Sequence, residues 1–148
     1  MKKICFIILF MVNLYADPSF GIIPSIKIDN MDKYNLGKRL FFDTNLSSDK
    51  KVSCATCHNL NLYGTDNKKH FNGVNNTEGI LNSPTIYNSK FNIAQDSAGE
   101  TSTIQERSHK SFLSKVEMNG NINDTISYIQ SDSSLLEEFH KLYGYVSD

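Results

Sequence analysis

The chain has 148 residues, 39% hydrophobic and 21% charged, with no tryptophan, which is enough for one small domain and too little for two full-sized ones. Fifteen Lys plus Arg stand against sixteen Asp plus Glu, so there is no global basic field to recruit nucleic acid or an anionic membrane. Three cysteines and three prolines exclude a disulfide-dense scaffold and a collagen-like or proline-rich chain.

Residues 1–16 read as a secretory signal. Lys2 and Lys3 form the basic start, residues 4–14 the apolar stretch, and Ala16 a small residue at a cleavage point, in a segment too short to span a bilayer. Leu14 suits that cut poorly, so an uncleaved anchor stays open as the alternative. Cleavage removes two lysines and no acid, leaving a mildly acidic mature chain with no membrane association expected. It also removes Cys5, so Cys54 and Cys57 remain as the only thiols. A periplasmic location is expected. Residues 17–30 read as an N-terminal extension, and residues 31–148 as the single domain.

Residues 31–42 carry a helical period. Tyr34, Leu40 and Phe41 recur at offsets of six and seven, with Leu36 and Leu40 four apart, until Asp43, Thr44 and Asn45 break the pattern. Residues 59–92 are dense in Asn, Gly, Ser and Thr with neither a 3.6 nor a 2.0 period. They predict a long irregular loop, a feature that in small domains usually wraps something. Ser102-Thr103-Ile104-Gln105 fits a capping box for a helix running towards Phe112. Asn123 fits a cap for a helix carrying Ile126 and Ile129, and Ser134-Leu135-Leu136-Glu137 fits another capping box. That last helix sets Leu135, Phe139 and Leu142 on one face and ends at Gly144, a residue suited to a left-handed cap. No alternating run is long enough for a sheet. The expected fold class is therefore all-α, short helices and long loops with a thin core suited to a central bound group.

Cys54-Ala55-Thr56-Cys57-His58 is the attachment pattern for a c-type haem. Two cysteines three apart lie one helical turn apart, so each sulfur can form a thioether with one vinyl group of the macrocycle. The following histidine, His58, then ligates the iron, its second ring nitrogen donating to a backbone carbonyl. Ser53 is placed to cap the short helix. The rivals are a disulfide, half a zinc site and a redox dithiol. Zinc needs two more Cys or His at matching spacing, and a thioredoxin-like pair needs a βαβ setting.

The surroundings add a resemblance. Leu36-Gly37-Lys38-Arg39-Leu40-Phe41-Phe42-Asp43, Leu46-Ser47, and Val52-Ser53 running through the haem motif to Asn59 resemble the opening of the bacterial di-haem cytochrome c peroxidase family. Gly64-Thr65-Asp66, Asn82-Ser83-Pro84-Thr85, Asn88, Phe91-Asn92, Ala94-Gln95 and Val116-Glu117-Met118 follow in the family's order. The resemblance implies a cytochrome c-like domain around one covalent haem c, matching the peroxide-reducing N-terminal half of that family. It implies hydrogen peroxide as substrate and a small cytochrome or cupredoxin as electron donor. Glu117 matches the family's acid/base glutamate, and Asn82 an asparagine ligand of its calcium site, whose other ligands come from the second domain.

Some positions depart from the family. The distal histidine of bis-histidine members falls on Val74, with His70 four residues earlier. The Gln-Phe-Trp-Asp-Gly-Arg run becomes Gln95-Asp96-Ser97-Ala98-Gly99-Glu100, and a family glutamine aligns with Arg107. His70, His109 and His140 read more simply as solvated histidines than as iron ligands, and Met118 as a core side chain. The Lys50-Lys51 and Lys68-Lys69 pairs read as solvated loop charges. Two alternatives stay open beside the peroxidase: a mono-haem electron carrier or haem-binding module without turnover, and an inactive truncated peroxidase fragment.

Overall fold

In the computed structural model, which describes residue 23 and residues 25–144, the first helix, α1, spans Met31–Phe42. The predicted signal and Cys5 lie outside the described residues. Asn30 caps α1 by accepting from the Lys33 amide at 2.9 Å, and the helix buries Leu36, with Leu40 packed beside it. The i, i+4 pair thus chooses the inner face, while Tyr34 stays exposed. Four more helices follow: α2 over Cys54–Cys57, α3 over Ile104–Leu113, α4 over Ile122–Ser131 and α5 over Ser133–Tyr143. The all-α expectation holds, with no strand among the described residues.

The predicted caps shift by one or two residues. Thr103 caps α3 through the Glu106 amide, Asn121 caps α4 through the amides of Asn123 and Asp124, and Asp132 caps α5 through the Leu135 amide. Adjacent Ser, Thr, Asn and Asp residues all offer an acceptor, so the approach of the chain selects among them. At α5 the selection has a visible cause. Asp132 also takes Arg39 Nη2 at 2.6 Å, a partner from α1 that Ser134 meets only through its hydroxyl at 3.1 Å. Gly144 ends α5 with φ +81° and donates its amide to the His140 carbonyl, a conformation that side chains resist.

Helices α1, α4 and α5 form one unit. Leu36, Ile129 and Leu135 make its buried core, with Phe139 and Leu142 packed against it. Arg39 bridges Asp132 and Glu138, and Tyr128 on α4 donates to Asp43 at 2.7 Å. A second, smaller core of Val52, Val74 and Met118 lies in the loop-rich part, with Leu46 and Cys54 packed against it. α1 also contacts α2, which seats the attachment helix on the helical unit.

Residues 59–92 are irregular as expected but contain three one-turn 3-10 segments, Leu60–Leu62, Val74–Asn76 and Ser89–Phe91. Isolated antiparallel bridges, Asn59 with Thr65 and Asn72 with Glu78, close two small loops. Among the described residues no helix is long and apolar enough to cross a membrane.

Candidate haem-attachment site

Four residues make α2, and their order follows from capping. Ser53 is its N-cap, and the Ser53 amide donates to Thr56 Oγ1 at 2.9 Å. The His58 amide closes the turn onto the Cys54 carbonyl at 2.9 Å. Cys54 and Cys57 are both free thiols, half-buried. Burial pushes the Cys54 thiol up from its ordinary value. Burial raises the Cys57 thiol as well, opposed by a hydrogen bond from Ser83, while the charges of Asp66 and Glu117 add to the rise. The two thiols one turn apart suit thioether formation, with Cys54 packed against the Val52, Val74 and Met118 cluster and Cys57 in a more polar setting.

His58 is held from its rear. Its Nδ1 lies 3.2 Å from the Gly64 carbonyl and 3.1 Å from the Pro84 carbonyl. Both partners can only accept, so Nδ1 carries the proton and Nε2 keeps the lone pair that a metal requires. Gly64 reaches this position with φ +75°. The 82–85 segment forms the second wall, through Ser83 on Cys57 and Pro84 on His58. The donor set and its orientation fit a c-type haem. Backbone carbonyls have no side-chain signature, so these two partners were not readable as site residues; the turn-forming Gly64 and Pro84 were the available signals.

The 114–119 turn meets the attachment segment through residues 72–74. Gly73 touches it so closely that a Cβ there would stand 1.9 Å from the Val116 carbonyl oxygen. The Val74 amide donates to the Glu117 carbonyl at 2.9 Å, and Cys57 Sγ donates to the Asn72 carbonyl at 3.8 Å. The attachment helix, the 72–74 segment and Glu117 therefore form one continuous structure. The Glu117 carboxylate is paired with Arg107 Nη2, 3.2 Å to Oε1 and 3.5 Å to Oε2. Asp49 secures the other side, accepting from the Asn75 amide at 2.8 Å and the Lys51 amide at 2.9 Å. The Asn75 amide leads the contacts that hold its carboxyl below the usual carboxylate range, against burial.

The other side chains singled out in the sequence lie in ion pairs, on helices other than α2 or in a core. His70 pairs through Nδ1 with Glu78 at 2.9 Å. His109 is exposed on α3, and His140 sits on α5 in the helical unit. Met118 is buried with Val52 and Val74. Lys50 reaches the Asn45 carbonyl at 2.7 Å, and Lys51 and Lys68 border a cleft of about 280 Å³ beside Thr56 and Asn72. The Gln95–Glu100 run closes on itself: Asp96 accepts from the Thr101 hydroxyl and the Glu100 amide, and Lys110 donates to Thr101. Asn82 is exposed, and among the described residues no three His, Cys, Asp or Glu converge as a metal site.

A family model described as di-haem cytochrome c peroxidase matches residues 31–148. Cytochrome c peroxidase Ccp of Escherichia coli K12 is 34% identical over 122 residues, covering 82% of this chain and 26% of that protein. Cytochrome c551 peroxidase of Nitrosomonas europaea is 34% identical over the same length, covering 82% of this chain and 36% of that one. The methylamine utilization protein MauG of Methylophilus methylotrophus is 27% identical over 114 residues. The fold is similar to that of a MauG-like protein associated with microbial copper homeostasis, with TM-score 0.66 at 20% identity, covering 90% of this chain and 41% of that one. The chain thus spans about a quarter to a third of the first two relatives' lengths. With the family model matched over the whole helical and loop structure described above, the chain belongs to the di-haem cytochrome c peroxidase family.

Proposed function

We propose that this chain is an exported, periplasmic haem c protein that reduces hydrogen peroxide to water. The observation that carries the reading is His58, whose Nδ1 is committed to two carbonyls while two free thiols stand one turn away. Haem c, when bound, would supply redox chemistry at iron for the two-electron reduction of peroxide. Cys54 and Cys57 would hold the haem by thioethers, and His58 would supply a nitrogen ligand, its ring oriented by the Gly64 and Pro84 carbonyls. Val74 offers no ligand atom, so a small molecule would reach the iron without a side chain at position 74 having to leave it first. Glu117 takes the proton from one peroxide oxygen and returns it to the other as the O–O bond breaks. The balance is one peroxide, two protons and two electrons to two waters, with the electrons coming from a reduced small cytochrome or cupredoxin.

Absorption and EPR spectra of the haem-loaded protein test this. The expected result is a covalently attached haem with a ferric iron that binds cyanide and peroxide. An iron that binds neither, in both oxidation states, overturns it. A second reading, a mono-haem electron carrier, is favoured by one observation: the Met118 thioether is buried in the cluster that Cys54 packs against. A six-coordinate low-spin spectrum with no peroxide turnover supports that reading instead.

A further inference from the structure

Six ion pairs join described residues, and among their carboxylates Glu117 is the least exposed, at 23%. Its main chain is fixed twice, the amide on the Ser114 carbonyl at 3.1 Å and the carbonyl on the Val74 amide. Its side chain is fixed once, by Arg107. Arg107 itself rises from the first turns of α3, where its amide bonds the Thr103 carbonyl and Thr103 caps the helix. The chain then returns tightly: the Ser114 amide bonds the Lys110 carbonyl and the Gly120 amide bonds the Phe112 carbonyl at 2.7 Å. Two rigid supports therefore face each other, and the guanidinium spans them.

We propose that Arg107 is the positioning residue that holds the Glu117 carboxylate for proton transfer. The inference rests on the proton-relay role assigned to Glu117 above and adds what sets its place. A half-exposed ion pair adds little to stability, so the geometry is the informative part. One nitrogen, Nη2, reaches both carboxylate oxygens, which is unlike a fork-on-fork pair and leaves lone pairs on each oxygen to accept a proton from a neutral protic ligand. The neighbouring charges on α3 do not compete, because Lys110 is paired with Glu106. A lysine at position 107 keeps the charge but lacks the planar fork.

Hydrogen cyanide is the probe, since like peroxide it arrives protonated and gives its proton to a base before its anion binds a metal. The full chain, matured with haem, is compared by cyanide association rate and by thermal midpoint. Arg107→Leu is expected to slow association about tenfold, the size of one lost charge-assisted hydrogen bond, with the midpoint little changed. Glu117→Gln is expected to slow it at least as much, the double variant no further, and Arg107→Lys to recover to within about threefold of the parent. If Glu117→Gln is slow and Arg107→Leu is as fast as the parent, the positioning inference falls while the role of Glu117 stands. A parental rate in Glu117→Gln removes both. An undiminished effect of Arg107→Leu in the Glu117→Gln background shows that Arg107 acts on the ligand directly and also overturns the inference. Should the leucine variant fail to mature, Arg107→Met, which keeps the length of the side chain and has no donor, carries the same comparisons.

Discussion

The helical unit of α1, α4 and α5 and the loop-built half around α2 are held together by different physics. The first buries three apolar residues from three helices and ties their ends with Arg39, Asp132 and Glu138. The second also buries three, Val52, Val74 and Met118, but only Leu46 and Cys54 pack against them, and its shape comes from hydrogen bonds: the Asn75 amide to Asp49, Tyr87 to the Leu60 carbonyl, Thr85 to the Tyr63 carbonyl. Apolar faces stabilise without direction, so the helical unit needs no ligand to define it. Directional bonds between loops each contribute only about 1 kcal/mol net, and a covalent group joined at Cys54, Cys57 and His58 gives that half a centre. The site thus lies in the half shaped by directional bonds, seated on the half built from packed helices.

The sharpest way to break this contrast is to remove both thiols. Cys54→Ser with Cys57→Ser is expected to abolish haem that survives denaturing gels. Amide protection over residues 59–92 should fall while the helical circular dichroism largely remains; equal loss in both halves counts against the two-part description. Leu135→Ala attacks the other half. Leu135 is fully buried, so about 2–5 kcal/mol of stability should be lost in denaturant titration, with haem attachment chemistry intact.

Val74→His tests position 74 as a ligand position, at a cost in packing because Val74 is buried with Val52 and Met118. A histidine there is expected to convert the ferric iron towards a low-spin, six-coordinate state and to slow cyanide binding, read by EPR and stopped flow. An unchanged spin state means that position 74 does not face the iron. The smallest effect belongs to Asp49. Its folded carboxyl is held below the usual range by the Asn75 amide, so its contribution is complete above the ordinary carboxylate pKa of about 3.9. It is lost as pH falls through the lower folded value. Asp49→Asn should remove that acid limb from the loop half, followed by hydrogen exchange since the chain has no tryptophan. An acid limb identical to that of the parent dismisses the role.

Much of the helical unit was legible in sequence because its signals are local. The i, i+4, i+7 spacing of Leu135, Phe139 and Leu142 marks the face that packs on Leu36 and Ile129, and Gly144 marks the end. The caps were misplaced by one or two residues where neighbouring polar side chains offered equivalent acceptors, and a distant partner such as Arg39 settled the choice. In the loop half, the residue types that attach a haem were visible as a five-residue motif. The partners that orient them were not: the Gly64 and Pro84 carbonyls come from positions 6 and 26 residues beyond His58.

The helical class, the inner face of α5 and the cluster of thiols and imidazole on one turn follow from local sequence, because each depends on spacing within a few residues. Folding brings the Gly64 and Pro84 carbonyls to Nδ1 of His58, sets Gly73 against Val116 and lets Arg107 span to Glu117. Those features join loops that meet only in the folded chain, where a hydrogen bond depends on distance and angle and has no period along the sequence to announce it.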